Sequence, residues 1–238
     1  MLKLEIKFIR ELFFNKCGAN TFAINRYFNQ WKKSQHREHS PVSDRIPWMT
    51  FQSISFIEEK LENGSCVFEY GGGGSTLFFL DRGARVITVE HDKEWFEKLF
   101  GIINHDDLSK FWTGIYEAPE YEIRPSGLHH SNPTSYKSSS QHFIGKIFKK
   151  YANKINEFPN DYFDFVIIDG RARPSCVKQS VAKVKIGGYL VLDNTEREYY
   201  LTPETLYFLK NFELELDKTG PSPYVNFFTK TNIWRRLY

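Results

Sequence analysis

At 238 residues, 41% hydrophobic and 26% charged, the chain is long enough to bury a sizeable core and is expected to form one globular unit. A net charge of +3 is too small to argue for nucleic acid as a partner, and no apolar run approaches the length that spans a bilayer. Three scattered cysteines (Cys17, Cys66, Cys176), with no signal-peptide pattern ahead of them, are expected to be reduced thiols in a cytoplasmic protein.

Residues 1–34 read as helical, dense in Leu4, Ile6, Phe8, Ile9, Leu12 and Phe13, with a break at Cys17-Gly18-Ala19-Asn20 before a second segment from Thr21 to Trp31. Basic residues such as Lys3, Lys7 and Arg10 would suit a membrane surface. A helical cap packed on the core, or pairing two copies as a homodimer, is the stronger expectation. Gln35 to Pro47 carries two prolines and reads as a connector, with His36 and His39 as solvated loop residues. Residues 1–48 are therefore expected to be cap and connector, and 49–238 the main domain. Thr50 to Leu61 reads as a helix with Phe51, Ile54, Phe56, Ile57 and Leu61 inward, stopped by Asn63-Gly64.

The stretch Val67-Phe68-Glu69-Tyr70-Gly71-Gly72-Gly73-Gly74-Ser75-Thr76 organises the remainder of the chain. A strand runs into four glycines, and a helical pattern begins at Ser75. Glycine lets backbone turn tightly and approach a ligand, and a helix start beyond it presents free N–H groups and a positive dipole end. Arg85 to Glu90 is a second strand ending in an acid, whose carboxylate can accept both hydroxyls of a ribose. This is the layout of a site for a nucleoside-containing cofactor. Thr76 stands where a dinucleotide fingerprint has its third glycine, and there is no Gly-Lys-Ser/Thr of a triphosphate loop.

Asp92 can cap a helix through Leu99, and Phe111 to Tyr116 is a third strand. Ala118 to Ser139 lacks periodicity and is read as a substrate lid, with His129-His130 as loop residues rather than metal ligands or a base. Ser140 is expected to cap a helix through Phe143, Ile144, Ile147, Phe148 and Tyr151. Phe163 to Asp169 has the apolar centre of a parallel strand covered on both faces. A helix over Ser175 to Val184, a Gly187-Gly188 turn, a strand over Tyr189 to Asp193 and a helix start at Thr202-Pro203-Glu204 come next. Phe212 to Leu216 and Val225 to Trp234 close the chain as strands.

Glu69-x-Gly71-x-Gly73, Glu90, Asp169 and Gly187-Gly188-Tyr189-Leu190-Val191-Leu192-Asp193 together resemble the class I S-adenosylmethionine-dependent methyltransferase family. The resemblance implies an α/β fold of three layers, Rossmann-like, around a mostly parallel seven-stranded sheet of order 3-2-1-4-5-7-6. As that family uses these positions, Glu69 helps hold the methionine amino end, Gly71, Gly72, Gly73 and Ser75 lie against the cofactor, and Glu90 holds the ribose.

Asp169, Asp193 and Asn194 at the strand ends resemble the Mg²⁺ ligands of cation-dependent O-methyltransferases, and Ser140-Gln141 the pair that meets the adenine edge there. That subfamily's catalytic lysine is missing, because its position here is Ala172, between Arg171 and Arg173. Arginine does not deprotonate, so Arg171 is expected not to act as a base but either to grip an anionic or polyhydroxyl acceptor or, like Arg173, to pair structurally with Glu196 or Glu198. The leading expectation is methyl transfer to an oxygen of a small molecule or sugar, with Asp169 and Arg171 at the reacting group. A cofactor-binding protein without transfer activity and an NAD(P)-dependent oxidoreductase are the alternatives.

Overall fold

The computed structural model describes residues 2–14 and 24–238. The break expected at 17–20 and the beginning of the segment from Thr21 lie outside the described residues.

Seven strands make the main sheet: β1 (Cys66–Tyr70), β2 (Arg85–Glu90), β3 (Trp112–Tyr116), β4 (Phe163–Ile168), β5 (Val184–Asp193), β6 (Phe212–Pro221) and β7 (Phe228–Arg236). Their order is β3-β2-β1-β4-β5-β7-β6, the expected one. β1 to β5 run parallel, and β7 lies antiparallel to both β5 and β6.

Every residue of β1 is buried, because helices cover both faces of the sheet. Its side chains alternate between two separate apolar layers. Val67 joins the layer of Phe165, Leu77 and Leu99, whereas Phe68 and Tyr70 join that of Val166, Tyr151 and Cys176. The first layer belongs to helices α4 (Phe51–Lys60), α5 (Gly74–Asp81) and α6 (Lys93–His105); the second to α7 (Lys149–Asn153) and α8 (Arg173–Ser180). The N-terminal helices α1 (Leu2–Phe14) and α2 (Phe28–Ser34) pack on the first layer. Phe8 meets the Phe228 ring at 5.1 Å, and Trp31 Nε1 donates to the Val225 carbonyl at 2.8 Å. Burying such side chains contributes roughly 1.5–3 kcal/mol each, which anchors the cap to the sheet.

Several local expectations fail for identifiable reasons. The connector contains a short helix, α3 (Pro41–Asp44), and His39 is no solvated loop residue: its Nδ1 lies 2.8 Å from Asp44 Oδ1. No helix runs from Ser140 to Tyr151. A 3₁₀ turn (Gln141–Phe143), a two-strand ladder (Glu120–Tyr121 with Lys146–Ile147) and α7 replace it. Ile144 is extended and Gly145 has φ +76°, so the helical hydrogen-bond chain is cut there. Helix α8 stops at Ser180, and Val184 already belongs to β5. Gly187-Gly188 is not a turn before that strand but lies inside it, where the β4–β5 register slips and Gly187 takes φ +82°.

Candidate active site

The cleft lies at the carboxyl ends of β1, β2, β4 and β5 and has a volume of about 760 Å³. After β1, Gly71 turns at φ +89°, and a Cβ there would lie 3.1 Å from Gly170 Cα. The turns after β1 and β4 therefore touch through bare backbone. Gly74, at the start of α5, faces the carbonyls of Pro41 and Ile46, which a side chain would strike. The connector thus forms a wall of the cleft, and Pro41 and Trp48 line it.

Glu69 does not line the cleft. It is fully buried on the α5 side of the sheet, the side that Val67 also faces. Its carboxylate accepts hydrogen bonds from Ser75 Oγ (2.8 Å), Thr88 Oγ1 (2.7 Å) and Thr76 Oγ1. Burial pushes this carboxyl up to about 7, against the pull of the three hydroxyls. Thr76 Oγ1 also receives the Gly73 N–H at 2.9 Å. Glu69 is therefore a hub beneath the glycine turn, buried among hydroxyls rather than exposed in the cleft.

Glu90 does reach the cleft, although it is only 3% exposed. Its Oε2 accepts from the Gly72 N–H (3.1 Å), and Oε1 accepts from the N–H groups of His91 (2.6 Å) and Asp92 (2.8 Å). A carboxylate has about four lone-pair sites, so one on Oε2 stays open for a ligand hydroxyl rather than the pair of ribose contacts expected. Asp92 caps α6 by accepting from the Trp95 N–H, and Trp95 Nε1 donates to the Gly72 carbonyl at 2.7 Å. His91 packs edge-on against Phe143, Phe148 and Tyr151, and its Nε2 accepts from Arg171 Nε at 3.3 Å. Its buried Nδ1 lies 2.7 Å from Glu90 Oε1 at an angle that makes no hydrogen bond.

Across the cleft, Arg173 ties the ends of β4 and β5 together. Its guanidinium donates to the carbonyls of Asp169 (2.9 Å), Gly170 (3.1 Å) and Asp193, and to Asp169 Oδ1 at 2.9 Å. Asp193 is 2% exposed and accepts from Thr231 Oγ1 at 2.6 Å. Burial and then the charge of Asp169 push its carboxyl up to about 8. Burial also raises Asp169, with Arg173 opposing, but that side chain keeps 31% of its surface open to the cleft. Asp193, the more deeply buried of the two, is thus the harder to ionise, and Asp169 the easier.

The expected Mg²⁺ set, Asp169, Asp193 and Asn194, converges on this cleft. It does not fit a divalent ion: Arg173 already supplies the counter-charge, and Asp193 is bonded to Thr231. No group of three or more His, Cys, Asp or Glu suited to a metal occurs among the described residues.

Gly71, Gly72, Gly73, Ser75, Glu90, Asp169, Arg171, Asp193 and Asn194 thus share one cleft. Ser140 lies in a side cavity and Gln141 is exposed outside both, because the 3₁₀ turn presents His142 and Phe143 to the cleft instead. The loop read as a lid contributes nothing to the cleft lining. It is tethered beside the cleft, with Tyr136 N–H donating to Ser175 Oγ (3.0 Å) and His130 edge-on to Tyr199. Sequence reasoning missed Trp95, His91, Arg197 and Phe227 as cleft residues. Trp95 carried a signal, three residues after a capping aspartate; Phe227 carried none.

A glycine turn after β1, an acid closing β2 and this strand order define the class I S-adenosylmethionine-dependent methyltransferase fold. Solved structures agree. A proposed O-methyltransferase from Klebsiella pneumoniae superposes with a TM-score of 0.54 at 11% identity, over 99% of this chain and 100% of that one. An rRNA methylase from Streptococcus thermophilus gives 0.50 at 12% identity, over 79% and 95% of the two chains. A proposed methyltransferase from Streptococcus mutans, solved with S-adenosylhomocysteine, gives 0.50 at 14%, over 78% and 96%. At these identities the likeness is one of fold. No family model matches the chain, and no curated protein matches it in sequence.

Proposed function

We propose that this chain is an S-adenosylmethionine-dependent methyltransferase that methylates an oxygen of a small polar acceptor. One observation carries the reading: Glu90, bonded to the glycine turn through Gly72, opens onto the same cleft as Asp169. The residues fit the cofactor. Gly71 to Gly74 offer bare backbone, Glu90 keeps an oxygen for a hydroxyl, Trp95 gives a flat wall, and no lysine stands at the turn to demand a phosphate. Bound there, the cofactor supplies a methyl group on a positively charged sulfur.

The chain's own groups handle the acceptor. Asp169 is the base that accepts the hydroxyl proton, and Arg173 holds its carboxylate in place. Burial and the neighbouring Asp169 disfavour ionisation of Asp193, which favours keeping the charge on Asp169. No step requires a metal, because Arg173 provides the positive charge. A cleft of about 760 Å³ is of the size that encloses a cofactor with a small acceptor.

A thermal-shift panel with S-adenosylmethionine, S-adenosylhomocysteine, NAD and NADP, each with and without Mg²⁺, tests the reading. At 100 times its Kd, S-adenosylhomocysteine should stabilise the protein by about 2.7 kcal/mol, with no added effect of Mg²⁺. No shift at saturation sinks the proposal, and a shift with NAD or NADP alone favours an oxidoreductase. A shift without turnover in an acceptor screen leaves a binding protein only.

A further inference from the structure

A second cavity, about 260 Å³, opens beside the cleft between the end of the long loop (Lys137 to Ser140) and the turn after β4 (Gly170 to Arg173). The two spaces share Gly170, Arg171, Arg173 and Arg197 in their linings, so they adjoin. The side cavity is lined by four cationic side chains, Lys137, Arg171, Arg173 and Arg197, and by serine and tyrosine hydroxyls; among the described residues no carboxylate lines it.

Not all of that charge is neutralised by the protein. Arg173 is paired with Asp169 and Lys137 with Glu122 at 3.1 Å. Arg197 Nε is 3.7 Å from Glu196, too far for a hydrogen bond. Arg171 has no ion pair among the described residues; its Nε goes to His91 and its guanidinium lies 5.2 Å from the Phe143 ring centre. Its terminal nitrogens meet no acceptor among those residues. The local field is felt by Tyr200, whose phenol is raised by burial but drawn below its ordinary value overall by Arg173 and by its bonds to Ser139 and Arg197.

We propose that this cavity seats a phosphate group of the acceptor, so that the substrate is a phosphorylated small molecule whose reacting hydroxyl lies in the adjoining cleft at Asp169. Guanidinium groups together with serine and tyrosine hydroxyls suit a tetrahedral oxyanion with three free oxygens. A planar carboxylate, with two oxygens, could engage one fork but would use fewer of these donors. Calling the occupant an acceptor rests on the methyl-transfer reading above, whereas the anion seat stands on the cavity alone. The loop that fails to cover the cleft gains a role here, since Lys137, Ser138 and Ser139 are its last residues.

The test titrates inorganic phosphate into the full chain by calorimetry, with and without saturating S-adenosylhomocysteine, at constant ionic strength set with chloride. Acetate forms a second arm. Saturable single-site phosphate binding is expected, tighter than acetate. It should weaken about tenfold in Lys137→Gln and in Arg197→Gln, the loss typical of one charged hydrogen bond. Lys137 lies outside the cleft, so Lys137→Gln should bind S-adenosylhomocysteine as the unaltered protein does. Absent phosphate binding in a chain that binds S-adenosylhomocysteine overturns the inference. So does phosphate binding undiminished in both variants, or acetate binding as tight as phosphate. Phosphate binding that is lost in the variants, in a chain that ignores S-adenosylhomocysteine, upholds the anion seat and removes the methyl-transfer reading instead.

Discussion

The backbone N–H of Gly72 donates to Glu90 Oε2 across 3.1 Å, so the turn after β1 and the acid closing β2 hold each other in place. Two more N–H groups, of His91 and Asp92, depend on the same carboxylate. Glu90→Ala would strand all three donors near the cleft floor. An unmet buried donor costs about 1–3 kcal/mol, so a clear fall in Tm is expected. S-adenosylhomocysteine affinity should drop at least as much as one charged hydrogen bond implies, about tenfold. Calorimetry that found affinity intact would separate Glu90 from the cofactor.

Gly71 allows a different check, on geometry rather than on charge. At φ +89°, a conformation side chains rarely adopt, and with an added Cβ only 3.1 Å from Gly170 Cα, it is a strained and tight position for alanine. Gly71→Ala should lose about 1–3 kcal/mol in chemical denaturation. Gly101, where an added Cβ meets nothing, is the control and should tolerate alanine without loss.

Glu69 links stability to pH. Burial raises its carboxyl from 4.5 to about 7 in the folded chain, so the folded state holds the proton more tightly than the unfolded one. Its contribution is therefore greatest below pH 4.5, declines as pH climbs towards 7, and is flat above that. The whole decline is on the order of 3 kcal/mol. Asp193 titrates nearby, so the informative quantity is the difference from Glu69→Gln, which should lack this part of the slope. Parallel pH profiles for the two proteins would show that folding leaves the Glu69 carboxyl at its ordinary value.

Asp169→Asn keeps the size of the side chain and removes the base. A general base contributes typically 10²–10⁴-fold, so kcat should fall at least about a hundredfold. Cofactor affinity should hold, because Glu90 and the glycine turn are untouched. Equal losses in kcat and in cofactor binding would instead mark Asp169 as a binding group.

Much of the fold was legible because parallel strands covered on both faces leave continuous apolar runs, as in Phe163 to Ile168, and glycine and proline mark their ends. Failures cluster where a linear pattern has two physical solutions. Phe143, Phe148 and Tyr151 have helical spacing, yet they converge on His91 across a broken segment. Their burial is satisfied either way, and Gly145 decided between the two. The burial of Glu69 beneath the turn was not legible either, since alternation along a strand says that neighbours face opposite sides but not which side opens onto the cleft.

The glycine turn, the acid after the second strand and the buried parallel strands are all written locally, in backbone freedom or in apolar runs of a few neighbouring residues. Packing in three dimensions was needed to put Glu69 beneath the turn, to stand Arg173 between Asp169 and Asp193, and to bring Lys137 and Arg197 to one cavity. Those relations join residues from separate elements of the chain, and the distances through which their charges act exist only once those elements have packed.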